Sequence, residues 1–168
     1  MDREYFTRPA TELAVNLLGK WLCVRHGNEI LRRKITETEC YYGEEDTACH
    51  AHKGKTARTE VMYCEGGVTY VYLCYGMHNL LNIVTGPVGH PEAVLIRGVE
   101  GAEGPGRVTK LMGITRDDNK MPLDTDSKIW IEEGSDKNIK YSEQPRVGID
   151  YADKADRERN WRYTLKVK

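Results

Sequence analysis

The sequence holds one phenylalanine against ten tyrosines and three tryptophans. A core alone would favour Phe, so the excess of hydroxylated rings points to surfaces where a ring must stack and also reach water. Charge of one sign is lacking too: 25 Lys and Arg against 26 Asp and Glu leave a formal net charge of −1. That excludes a polybasic tail and confines any anion-binding face to a local patch. No apolar run is long enough to span a bilayer, and no signal-peptide pattern opens the chain at Asp2-Arg3-Glu4, so neither membrane insertion nor secretion is expected. The five cysteines (Cys23, Cys40, Cys49, Cys64, Cys74) are odd in number, scattered and without a CxxC pair. Free thiols in a reducing compartment, cytoplasmic or nuclear, are the expectation. Repeats and linkers are missing as well, which leaves one domain over residues 1–168. At that length folding buries roughly 70% of the extended-chain surface.

What is present alternates. Pro9 suits a helix start, with Leu13, Leu17 and Leu18 on one stripe and Gly19 as the stop. Trp21 to Arg25 and Glu29 to Cys40 flank Gly27-Asn28 as a hairpin. Residues 43–60 are polar and irregular, and loops of that length in a compact domain are usually functional or mobile. Strands are predicted over Val68 to Tyr75, Leu80 to Thr85, Ala93 to Val99, Lys128 to Glu132, Arg146 to Tyr151 and Arg162 to Val167, with a helix from Gly104-Pro105 to Met112. Strands joined by short turns favour an antiparallel or mixed sheet with helices at its edges, an α+β domain.

Three stretches carry candidate chemistry. In VTYVYLCYGM (68–77), Tyr70, Tyr72 and Cys74 share one strand face while Val71 and Leu73 share the other. The aliphatic face suits a core, leaving the tyrosines as a stacking platform, with Tyr75 projecting at the turn. The competing interpretation is a Tyr-rich strand packed under a loop or in a dimer contact. In ETECYYGEED (37–46), Glu37, Glu39 and Tyr41 alternate onto one face. A carboxylate there, ionised near neutrality with an ordinary pKa of about 4.3, suits a general base beside a stacking wall. Five acids in ten residues also suit a solvated edge, and spacing does not choose among them. In CHAHKGKTAR (49–58), Cys49, His50 and His52 stand too close together for a complete zinc site, and no metal is expected. Lys53, Lys55 and Arg58 around Gly54 suit phosphate contacts.

ITETECYYGEEDTACH (35–50), TYVYLCYGMHNLLNI (69–83) and AVLIRGVEG (93–101) together closely resemble the alkyladenine (3-methyladenine) DNA glycosylase family. The resemblance continues through PATELAVNLLGK, GPGRVTKLMGI (104–114) and PRVGIDYA (145–152), nearly the whole chain. It implies a curved, mostly antiparallel sheet with flanking helices and a protruding hairpin that inserts into DNA. It further implies a monofunctional enzyme, without cofactor, that flips a damaged purine from duplex DNA and hydrolyses its N-glycosidic bond. Carried over by residue, the general base falls on Glu39, with Arg97 near the water and the target phosphate. The pocket falls on Tyr41, His50, Tyr72 and Asn82, and the intercalating ring on Tyr75. DNA backbone contacts are expected from Tyr70, Lys53, Lys55, Arg58 and Met77. The implied partner is double-stranded DNA containing damaged purines, and a monomer is expected. Cys40 and Cys49 depart from the small residues of the pattern, Ala57 from a common proline, and the 51–58 loop is short. A catalytically silent nucleic-acid-binding module is the alternative; it would need the tyrosines and basic loop but not Glu39.

Overall fold

The computed structural model describes residues 1–167. In chain order the elements are α1 (Ala10–Asn16), β1 (Trp21–His26), β2 (Glu29–Tyr42), β3 (Thr69–Cys74), β4 (His78–Val84), β5 (Glu92–Val99), β6 (Ala102–Glu103), α2 (Pro105–Met112), β7 (Ile129–Glu132), β8 (Tyr141–Gln144), α3 (Lys154–Glu158) and β9 (Arg162–Leu165). The strands form one sheet with the path β3-β4-β5-β2-β1-β7; β6 joins β5, and β9 joins both β2 and β8. The expected α+β class and curled antiparallel sheet are what the chain forms.

The long strand β2 organises the sheet. Its first half pairs with β1, and its second half pairs with β5 on one side and β9 on the other. Between Ile35 and Thr38 its register against β5 slips, which marks a bulge, a feature that bends and twists a strand. Gly98 accommodates it: a Cβ there would come within 2.8 Å of Thr36 Oγ1 and 3.1 Å of Glu37 Cβ.

Alternation then gives the sheet two characters. One face sends Val71, Leu81, Ile83, Val94, Ile96 and Cys40 into the main core, where α1 (Leu13, Ala14) and α2 (Val108, Met112) cover it. The Thr38 hydroxyl on this face donates to the Ala14 carbonyl at 2.6 Å, tying strand to helix. Glu92, 1% exposed, accepts from the Ala10 N–H at 2.7 Å and so caps α1, whose N-cap is Pro9. The opposite face carries Glu39, Tyr41, Leu95, Asn82, Tyr70 and Tyr72, alternating with the core residues.

Most predicted elements occupy the expected places. The stretch Arg146 to Tyr151 is a correction: it is irregular, and the strand of that region is β8, just upstream. Pro145 lacks an N–H for a ladder and Gly148 takes φ +73°. The Val147 N–H goes to a side chain, the Glu39 carboxylate, instead of a neighbouring strand. Helix α3 and the short 3-10 turns His50–Lys53 and Glu60–Tyr63 are further elements the pattern did not give.

Candidate active site

Strand register lays the site out as a row. Tyr70 of β3 pairs with Asn82 of β4, Asn82 with Leu95 of β5, Leu95 with Glu39 of β2, and Glu39 with Arg162 of β9. Tyr72 and Leu80 form the adjacent rung. Above this row opens a cavity of about 830 Å³ whose lining includes Tyr41, His50, Tyr72, Asn82 and Arg97. A volume of that order suits a small organic group rather than a water or a lone ion.

Glu39 is 0% exposed and stands directly behind the cavity wall rather than on its surface. Each group that holds it does line the cavity. The Val147 N–H donates to Oε1 at 2.9 Å, the Tyr41 hydroxyl donates to Oε2 at 2.7 Å, and Arg97 Nε lies 3.3 Å from Oε1. Burial pushes the Glu39 carboxyl above the ordinary carboxylate range, while Arg97, the Val147 N–H and the Tyr41 hydroxyl pull it back. A carboxylate so placed is a stronger base than a solvated one and remains paired with a cation. Of the five acids between 37 and 46, the other four have different duties. Glu44 and Glu45 are exposed, Asp46 pairs with Arg146, and Glu37 pairs with Arg97 and Arg162.

Tyr41 is fixed from behind. The wholly buried Arg146 grips Asp46 with two hydrogen bonds, of 2.6 and 2.9 Å, and donates to the Cys40 carbonyl at 2.9 Å. Its guanidinium carbon lies 5.0 Å from the Tyr41 ring centroid and 5.1 Å from that of Trp161, in cation–π range of both. The Arg146 Nε has no hydrogen-bond partner among the described residues. Burial, then the neighbouring Glu39, push the Tyr41 phenol well up, so the hydroxyl keeps its proton.

The other wall is aromatic. His50 meets Tyr72 edge-on with ring centroids 4.5 Å apart, and Tyr70 lies 5.2 Å from Tyr72. Burial and the nearby Arg58 lower the His50 pKa to about 4, so the imidazole is neutral at physiological pH. Its Nδ1 is 3.0 Å from the Tyr70 hydroxyl. Asn82, 4% exposed, donates from Nδ2 to the Tyr70 carbonyl at 3.2 Å. The β3–β4 turn forms part of the rim and exposes Tyr75 (89%) and Met77 (74%). Tyr75 holds φ +50° beside Gly76 at +65°. That conformation costs an L-residue about 1–2 kcal/mol, and such outliers cluster at functional turns.

The structure thus brings Tyr41, His50, Tyr72, Asn82, Arg97 and Tyr75 around one cavity, with Glu39 behind it. Tyr70 also lines the cavity, though only 2% exposed, with its hydroxyl 3.0 Å from His50 Nδ1. Its ring packs into a second buried cluster with Cys49, Ala51, Val61 and Met62. The basic loop divides. Arg58 lines the cavity, its guanidinium 5.0 Å from the Tyr72 ring. Lys53 is exposed outside the cavity lining, and Lys55 stacks on Tyr63 at the rim of a separate small hollow. Cys49, His50 and His52 do not converge. His52 Nδ1 faces the Glu44 carbonyl, Cys49 is buried, and among the described residues no group of three or more His, Cys, Asp or Glu is placed to hold a metal. Sequence reasoning missed Val147, Arg146 and Tyr151. The Pro145 and Gly148 that bracket the first two were the signal against a strand.

The profile described as Methylpurine-DNA glycosylase matches residues 4–104 and 100–168. A protein of Psychrobacter cryohalolentis, named as an inferred 3-methyladenine DNA glycosylase, is 43% identical over 178 residues, covering 88% of this chain and 84% of its own. A Myxococcus xanthus protein of the same name is 43% identical over 162 residues (90% and 83%). One from Borreliella burgdorferi is 38% identical over 178 residues (99% and 96%).

Proposed function

Since the chain belongs to the methylpurine-DNA glycosylase family, enzymes that hydrolyse N-glycosyl bonds in DNA, we propose that it extrudes alkylated or deaminated purines from duplex DNA. It would release them with a water activated by Glu39. The observation that carries this is the buried Glu39 carboxylate, held directly behind the wall of an aromatic cavity by Val147, Tyr41 and Arg97, which line it.

The physical demands of the reaction match the two walls. Taking a base out of the stack costs a few kcal/mol, least for damaged or badly paired bases. Tyr75, held outward at the turn, fills the gap the base leaves and offsets part of that cost. A purine alkylated at N3 or N7 is cationic, and the rings of Tyr41 and Tyr72 with neutral His50 add a cation–π contribution of order 0.5–2 kcal/mol per good contact. Bond cleavage makes the sugar oxocarbenium-like, and the Glu39 carboxylate stabilises that charge as well as taking a proton from water. The Tyr41 hydroxyl holds Oε2 in this structure and yields that position to the attacking water when the lesion enters. Hypoxanthine and ethenoadenine belong to the proposed range together with 3-methyladenine and 7-methylguanine.

Among the described residues, those lining the cavity include Arg58, Arg97 and Arg107 but no lysine. Guanidinium groups do not form a Schiff base, so a monofunctional reaction that leaves an intact abasic strand is the proposal; borohydride trapping of a covalent DNA adduct would contradict it. The deciding experiment measures free base released from duplex oligonucleotides, each carrying one defined lesion, by the wild type and by Glu39→Gln. Release by the wild type and loss by the variant, with duplex binding retained, supports the proposal; equal turnover by both removes Glu39 from the chemistry.

A further inference from the structure

Glu37 has no part in the chemistry proposed above, yet it sits inside the same charged cluster. The β2 bulge, for which Gly98 makes room, sets it beside Arg97. The single Nε–H of Arg97 donates to Glu37 Oε1 at 3.3 Å, while Glu39 Oε1 lies equally far as an ion-pair neighbour. Arg162 braces Glu37 from the far side: its Nη1 donates to the same Oε1 at 3.1 Å, and its Nε donates to the Pro145 carbonyl at 2.9 Å. The result is an alternating chain, Arg162–Glu37–Arg97–Glu39, whose Glu37, Arg97 and Arg162 side chains are 17%, 14% and 23% exposed. At that depth solvent screens little.

An arginine beside a lone carboxylate tends to close on it as a two-pronged fork, which stabilises the anion and weakens it as a base. Here Glu37 takes the Nε–H that the side-on form of such a fork would need, and Nε is the Arg97 atom facing Glu39. We infer that Glu37, braced by Arg162, is a positioning residue that limits how far Arg97 closes on Glu39 and so sets the basicity of Glu39. This rests on the glycosylase function proposed above and adds to it a control on the general base. The other groups facing Glu39 are the Tyr41 hydroxyl from β2, the Val147 N–H and buried Arg146 from the 145–151 segment, and more distantly Tyr72 and Tyr151. None of them reaches the Arg97 Nε.

Two variants move the balance in opposite directions. Glu37→Gln removes a like charge and frees Arg97 for Glu39, so the acid limb of single-turnover excision falls by about 0.5–1 pH unit. The weaker base then slows excision on the plateau by about threefold. Arg162→Gln leaves Glu37 to draw Arg97 away, so the limb rises by a similar amount; Arg162→Lys, which keeps the charge, returns it towards the wild-type position. Titration of Glu39 by carboxyl-carbon NMR on the full chain without DNA follows the same signs. Opposite shifts for the two variants establish the coupling. Limbs and titrations that stay put, or that move together, overturn it while leaving wild-type excision intact. Opposite NMR shifts in a protein that releases no base would uphold the coupling and remove the glycosylase function. Should Glu37→Gln misfold by circular dichroism, Arg162→Gln against Arg162→Lys carries the test alone.

Discussion

The two faces of this sheet are built from the same strands, one residue apart, and they obey opposite rules. On the helix-covered face Val94 and Ile96 meet α1 and α2, polar groups are few, and Thr38 is satisfied by a helix carbonyl. On the other face, their neighbours Leu95 and Arg97 look onto a cavity, and a carboxylate is buried behind its wall. The first face stabilises by removing apolar surface from water. The second holds a charge out of water, which disfavours the folded state unless partners surround it. Stability and chemistry are therefore separable by side-chain parity within single strands.

Mutations that split the two faces put this to the test. The largest expected effect on chemistry is Glu39→Gln: excision falls by about two or more orders of magnitude while duplex binding persists, as single-turnover base release and a binding titration would measure. Its stability should move the other way. The Glu39 carboxyl is raised in the folded protein, so folding prefers the protonated form. The Glu39 contribution to stability therefore declines as pH climbs from the ordinary carboxylate pKa through the raised one. The neutral amide of the variant removes that decline, so the urea midpoint of the variant relative to the wild type should be higher at pH 8 than at pH 4.

The converse break is Ile96→Ala, on the helix side. A cavity in that core costs about 2–5 kcal/mol of stability, read from urea unfolding, while the rate per folded molecule stays within about twofold. A large loss of rate in the folded fraction would show the faces are coupled. Tyr75→Ser is expected to slow excision from intact duplex by about tenfold or more, with less effect on lesions in mispaired or single-stranded DNA; equal loss on all three would remove the gap-filling role. Smallest is Tyr41→Phe, which keeps the ring and removes a donor to Glu39. Excision should stay within about threefold, while the Glu39 titration followed by NMR without DNA moves upward because one stabiliser of the carboxylate is gone; a downward move would contradict the assigned direction of that hydrogen bond.

Much of this arrangement was legible from alternation alone. The shared face of Tyr70 and Tyr72 is plain in the sequence, as are the Leu13, Leu17 stripe and the Gly27-Asn28 hairpin, whereas the apolar run 93–96 hides which of its residues face the helices. What failed depends on contacts across long stretches of chain. Tyr70 and Tyr72 share a face as expected, yet only packing against Cys49, Ala51, Val61 and Met62 decides that Tyr70 is buried while Tyr72 stays partly open. Glu37 and Glu39 could not be told apart because a bulge between them changes what each meets on β5. Arg146 looked like a strand residue, and its partner Asp46 lies 100 positions away. The family resemblance, rather than periodicity, singled out Glu39. The geometry then supplied what no spacing contains, the set of donors around its oxygens.

The left-handed backbone at Tyr75 bears on how such a protein would respond to laboratory evolution. Glycine or asparagine would sit in that turn with less strain than tyrosine. A library screened for heat resistance alone should therefore drift towards those residues at position 75, yielding variants with a relaxed turn and no ring at its tip.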